Sequence, residues 1–162
     1  MRKRGLPPVV DAGVETLVLG SFPSVASLKA QEYYAHPQNH FWKIIAALAK
    51  RPPAALERAS YAERKAAALE LGIGIWDVIA SCEREGSGDE RIVEPRLNDF
   101  AKLLRSAPRI RRIFFNGQAA AKLGRPALQD FGGAIAVLPS TSPRNARTGL
   151  AQKTALWAAA MR

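Results

Sequence analysis

A chain of 162 residues is long enough for one domain with a substantial core, and a hydrophobic share of 48% argues against disorder. No apolar run approaches the length of a membrane span, and a single cysteine, Cys82, excludes an internal disulfide framework and a cysteine-rich zinc site. Lys and Arg number 24 against 14 Asp and Glu, a net charge of +10 that attracts polyanions, DNA or RNA foremost, unless it serves solubility alone.

The basic residues are spread over Arg2 to Arg4, Lys50-Arg51, Arg109 to Arg112, Arg144 and Arg147, so only the fold can gather them on one face. The opening Met1 to Val10 is basic and lacks the apolar segment of a signal peptide, and a cytoplasmic protein is expected. Glu15 to Gly20 is a short apolar run ended by glycine and predicts a buried strand, with Ser21 to Ser24 as the loop at its C-terminal end. From His40 or Phe41 to Lys50 the apolar residues Phe41, Ile44, Ile45 and Leu48 follow helical spacing, and Pro52-Pro53 stops the helix. Tyr61 to Leu71 predicts a second amphipathic helix, closed by Gly72.

Gly72 to Ile79 is apolar and punctuated by glycine; it fits either a strand or a buried loop leading into a helix. Asp77 within it fits a buried acid capping that helix, or a group assisting protonation. Ser81 to Arg91 is polar and predicts a flexible surface loop in which Cys82 has no evident role. A helix is expected over Asn98 to Ser106 with Asn98 as its N-cap, a strand over Arg112 to Phe115, a turn at Asn116-Gly117 and a helix over Gln118 to Leu123. A strand over Ala134 to Leu138 leads to the loop Pro139 to Pro143, and a last helix runs from about Thr148 to Ala160. Strands alternating with helices predict an α/β fold, a largely parallel sheet with helices on both faces. In such a sheet the loops at Ser21 to Ser24, Asn116-Gly117 and Ser140 to Ala146 open on one edge, where ligands bind.

Tyr33 to Trp42 packs four aromatics, two histidines and two amides into ten residues around Pro37. Flat rings beside amide donors and acceptors suit a planar heterocycle such as a nucleobase. Taken singly these residues have plainer roles. Phe41, Trp42, Ile44 and Ile45 are core, Tyr33 and Tyr34 pack, Asn39 caps the following helix, and Gly20 and Pro23 turn the chain.

Three blocks carry a resemblance. Gly20-Ser21-Phe22-Pro23, Tyr34 to Lys43 and Ser140 to Ala146 together resemble the uracil-DNA glycosylase superfamily, in order from about residue 15 to the C-terminus. The middle block is similar to the mismatch-specific uracil/thymine branch, with its aromatic-Ala-x-Pro-x-Asn-x-Phe-Trp run. Gly-Ser-Phe-Pro-Ser is similar to the hypoxanthine (deoxyinosine) DNA glycosylase branch. The resemblance implies one domain over residues 1–162, a three-layer α/β/α sandwich around a four-stranded, mainly parallel sheet. It also implies an enzyme that flips a damaged base out of DNA and hydrolyses its N-glycosidic bond. Asn39 matches the amide with a catalytic role, and Tyr34 the aromatic that stacks on the base. Gly20, Ser21, Phe22, Pro23 and Ser140 complete the substrate site. Ser142, Pro143, Arg144 and Asn145 fall in the loop that presses on the DNA, with Arg144 in the wedge position.

Phe22 and Ser140 depart from the pattern. They stand where the superfamily usually has a carboxylate or amide and a histidine or asparagine, which weighs against uracil excision and leaves Asn39 as the polar candidate. Hypoxanthine is therefore the expected base. Uracil in mismatched or single-stranded DNA, and a non-catalytic DNA-binding module, are the alternatives. No cofactor is expected. His36 and His40, with no cysteine or carboxylate nearby, make a poor metal site. A monomer associated with the nucleoid is the expected form.

Overall fold

The computed structural model describes residues 1–162. In chain order the elements are β1 (Arg2–Arg4), β2 (Thr16–Gly20), α1 (Val25–Ala30), α2 (Phe41–Leu48), α3 (Tyr61–Glu70), β3 (Ile73–Asp77), β4 (Ile79–Glu83), β5 (Val93–Leu97), α4 (Phe100–Ser106), β6 (Arg112–Asn116), α5 (Gln118–Gly124), β7 (Ala134–Leu138) and α6 (Leu150–Ala160). Strands β3, β2, β6 and β7, in that order, form a four-stranded sheet whose neighbours are all parallel.

Strand β2 is central because it is apolar on both faces: Leu17, Val18 and Leu19 are fully or almost fully buried. Thr16 pairs with Ile73 on one side and Arg112 on the other, and Gly20 lies opposite Asp77. The chain leaves β2 for β3 on one side and later adds β6 and β7 on the other, so the strand order reverses at β2, the place where ligands bind in such sheets. Helix α2 packs against α3 and α6 over one face, and the right-handed rule for parallel crossovers assigns α4 and α5 to the other. The core runs between these layers, with Phe41, Ile44 and Ile45 of α2, Phe115 of β6 and Trp157 of α6 all inaccessible to solvent.

Residues 72–79 resolve the alternatives left by their sequence in favour of a strand, and β3 runs almost directly into β4. Val78 is the hinge: its N–H bonds to the Gly20 carbonyl at 2.7 Å, after which the chain departs to pair with β1 and β5 in a second, antiparallel sheet. Part of the predicted flexible loop over residues 81–91 is thus strand, and Cys82 is fully buried. Neither β1, with the sequence Arg-Lys-Arg, nor the wholly exposed β5 has an apolar periodicity to betray it; both are held by main-chain pairing to β4. The helix after residue 98 is capped by Asp99, whose carboxylate accepts from Lys102 N–H, while Asn98 donates to the Asp77 carbonyl at 2.7 Å.

Candidate active site

The C-terminal ends of β2, β3 and β6 and the loop after β7 surround a cavity of about 300 Å³. Gly20, Asp77 and Asn116 are the last residues of their strands, and Ser140 to Arg144 form the remaining wall. Of the predicted residues, Gly20, Ser21, Phe22, Pro23, Tyr34, Asn39, Ser140, Ser142, Pro143 and Arg144 line it. Asn145 does not; its amide donates to the Ser140 carbonyl at 3.1 Å and braces the wall from behind.

The first wall is pinned from a distance. Phe22 is 7% exposed, with the Arg84 guanidinium 5.0 Å from its ring centroid. Arg84 also donates to the Pro23 and Gly86 carbonyls, and Ser21 Oγ donates to Asp89 Oδ1 at 2.6 Å. Asp89 and Ser87 lie on the cavity wall, so the polar segment after β4 is part of the site. At the rim, Arg144 Nη1 reaches Glu90 Oε1 across 3.5 Å.

The second wall is the Tyr33–Trp42 stretch. Trp42 Nε1 donates to the Tyr33 carbonyl, and the Tyr33 hydroxyl bonds back to the Leu6 and Pro7 carbonyls, which sets the segment on the core. Tyr34 has φ 54°, a left-handed conformation uncommon for a bulky residue. It is held there by a stacked contact with Phe41, at 4.2 Å between ring centroids and 29° between planes, and by the bond from Ala35 N–H to Ser27 Oγ. The Tyr34 hydroxyl is buried against Gly20 and has no hydrogen-bond partner. Asn39 stands one residue before the N-cap, His40, yet serves the helix start, because its Oδ1 accepts from Phe41 N–H at 2.9 Å. That bond occupies one end of the amide and fixes its orientation; the Nδ2 end remains uncommitted at the cavity.

The third wall rests on Asn116. Its amide donates to Thr141 Oγ1 and accepts from Thr141 N–H, both at 2.9 Å and both buried. Gly117 takes φ 99°, and a Cβ there would stand 2.9 Å from Ser140 Cβ, so only glycine lets β6 turn beside this loop. His40 ties the second wall to the third, donating its N–H to the Thr141 carbonyl at 3.0 Å while its Nδ1 lies 3.2 Å from Lys153 Nζ. Lys153 is fully buried without a carboxylate, and burial lowers its pKa; burial and the neighbouring Lys153 lower that of His40.

Asp77 sits on the cavity wall and is 4% exposed. The plainer reading of it as a helix cap is overturned, since it ends a strand. Its Oδ2 is buried without a partner, and burial with the charge of Asp89 raises its pKa to about 7 against the pull of Arg84. The residues hidden from sequence reasoning are those that act across distance: Arg84, Ser87 and Asp89 reach the site through chain reversals that leave no local pattern. Asn116 was visible only as half of a turn dipeptide. No three His, Cys, Asp or Glu side chains converge as a metal site would require.

Residues 7–161 match the family model described as the Uracil DNA glycosylase superfamily. A hypoxanthine DNA glycosylase of Methanosarcina barkeri is 34% identical over 162 residues, covering 100% of this chain and 99% of the relative. Another, from Methanosarcina acetivorans, is 38% identical over 148 residues, covering 91% and 90%. A solution NMR structure of a Methanosarcina acetivorans protein, provisionally described as a uracil DNA glycosylase, superposes with a TM-score of 0.86 at 36% identity, over 100% of this chain and 98% of that one.

Proposed function

Because the chain belongs to the uracil DNA glycosylase superfamily, we propose that it removes hypoxanthine from deoxyinosine-containing DNA by hydrolysing the N-glycosidic bond. It is a DNA glycosylase by family, and the choice of base rests on full-length relatives named for that substrate. The single observation that carries the site assignment is the convergence of three strand ends and the Tyr34–Asn39 segment on one cavity sized for a single base.

In this reading the deoxyinosine is flipped out of the duplex, at a cost of a few kcal/mol that a poorly paired base reduces. The base enters beside Tyr34, whose other face is already stacked on Phe41. Rupture of the bond to C1′ builds positive charge on the sugar and negative charge on the base. An amide is no base, but a fixed N–H donor stabilises charge where it develops. Asn39 fits that task because its Oδ1 is tied to Phe41 N–H and its Nδ2 is free. Ser142, Pro143 and Arg144 at the rim contact the DNA, with Arg144 on a phosphate or in the gap left by the base, while Asn145 holds their loop in shape. We propose that the protein acts as a monomer on the DNA of the nucleoid. No helix is long and apolar enough to cross a membrane.

The test is incubation with matched oligonucleotide duplexes bearing inosine, uracil or xanthine, followed by alkaline cleavage at abasic sites. Cleavage at inosine is expected; no cleavage of any substrate refutes the enzymatic reading.

A further inference from the structure

The polar side chains of the cavity differ in how far the protein itself engages them. Several already have protein partners: the Asn116 amide bonds to Thr141 at both ends, Ser21 Oγ donates to Asp89, Ser140 Oγ accepts from Ser142 N–H, and His36 Nδ1 accepts from Gln38 N–H. Two others, the Tyr34 hydroxyl and Asp77 Oδ2, are buried with no partner at all, and the Asn39 Nδ2 makes no bond beside them. The Tyr34 hydroxyl and Asp77 Oδ1 press on the same side of Gly20. We propose that Asp77 is a further catalytic residue, which grips the edge of the extruded base as a neutral acid and gives it the proton with which it leaves. The proposal rests on the base-excision reading above and goes beyond it.

A carboxyl buried with neither a cation nor a donor on it favours its neutral form. The charged and titratable groups around it agree. Asp89 faces it from the segment after β4 and opposes ionisation; Tyr33 and Tyr34 face it from the second wall and offer no positive charge. Arg84, the nearest cation, is spent on two carbonyls and the Phe22 ring, and Arg144 lies at the rim with Glu90. Burial raises the Asp77 pKa to about 7, which keeps a protonated fraction at neutral pH.

A carboxylic acid presents O–H and C=O side by side. Hypoxanthine presents C6=O6 and N1–H side by side, so the two edges match in a pair of hydrogen bonds. As the C1′–N9 bond breaks, its electron pair enters the base and the carboxyl proton passes to O6. Water adds to C1′, and the proton it loses restores the acid. The released base then tautomerises to its keto form.

The experiment measures single-turnover hypoxanthine release by wild type and Asp77→Asn from pH 5.5 to 9, with melting curves of both. The wild-type rate is expected to be level in acid and to fall about tenfold per unit above pH about 7. Asp77→Asn, which keeps the donor but has no proton to give, is expected to be slower by about 10²–10⁴-fold and to lose that alkaline limb. A variant at the wild-type rate, or a wild-type rate that climbs through pH 7, overturns the role of Asp77 and leaves base excision standing. Wild type that releases no hypoxanthine overturns base excision itself. Should the variant not fold, the wild-type profile decides alone, and a flat profile overturns the proposal.

Discussion

Replacing Gly20 by alanine places a methyl group against the most crowded side of the cavity. Its Cβ would stand 2.6 Å from Asp77 Oδ1 and 3.2 Å from the Tyr34 hydroxyl. To regain an ordinary carbon–oxygen separation of about 3.3 Å, the carboxyl must retreat by roughly 0.7 Å. Its backbone is fixed, being on a buried strand locked to β2 by parallel pairing, so the carboxyl can give way only by turning into the cavity. Overpacking of this kind costs about 1–3 kcal/mol, which lowers Tm by roughly 2–12 °C in a chain of this size. A displacement approaching 1 Å in a catalytic group lowers the rate about 10²-fold. Single-turnover excision from an inosine duplex and thermal melting measure both effects. A double-mutant cycle isolates the cause: in an Asp77→Ala background the stability penalty of Gly20→Ala should largely vanish, because the clashing oxygen is gone. Wild-type activity in Gly20→Ala, or a penalty that persists without the carboxylate, refutes the reasoning.

Asn39→Ala removes the bond at the helix start and the donor together, and is expected to lose most excision activity and about 0.5–2 kcal/mol of stability on melting. Asn39→Asp separates them: the carboxylate still accepts from Phe41 N–H, so Tm should hold within a few degrees while single-turnover excision is lost. Asn116→Ala strips Thr141 of two buried hydrogen bonds; denaturant titration should show a loss of about 2–6 kcal/mol, at about 1–3 kcal/mol for each buried group left unpaired. Arg144→Ala is expected to weaken DNA binding and, if the side chain meets a phosphate, to reduce the slope of log K against log salt by about 1, as read by fluorescence anisotropy. Folding raises the Asp77 pKa from 3.8 to about 7, so the native state binds the extra proton between those values. Its penalty is absent below about pH 4 and complete above about pH 7. Asp77→Asn should therefore stabilise the fold more at pH 8 than at pH 4, by an amount on the order of 4 kcal/mol at most as read by denaturant titration.

The parallel sheet was legible because its strands are apolar runs bounded by glycine or asparagine, and buried strands have to read that way. Helix α2 announced itself through Phe41, Ile44, Ile45 and Leu48, all turned to the core or packed against it. The second sheet was illegible for the converse reason. Strand β5 is exposed throughout and β1 is three basic residues, so nothing in their side chains marks the pairing. Much of the cavity could be anticipated, since the residues after β2 and β7 and the Tyr34–Asn39 segment belong to short contiguous blocks. Of the two readings that Asp77 allowed, only the helix cap fails, since the residue ends a strand. As an acid following Trp76 it looked like a cap, and only the register that sets it opposite Gly20 puts it in the cavity. The bonds from Arg84 to Pro23 and from Ser21 to Asp89 join residues more than sixty positions apart, beyond the reach of any local pattern.

The central claim is that this chain releases hypoxanthine, and one competition experiment addresses it directly. A mixture of equal amounts of two duplexes, alike except for inosine or uracil at the same position, is incubated with the enzyme, and the free bases are quantified by mass spectrometry. Hypoxanthine should accumulate well ahead of uracil, and its release should disappear with Asn39→Asp. Release of uracil in preference to hypoxanthine, or undiminished release by Asn39→Asp, would contradict the account.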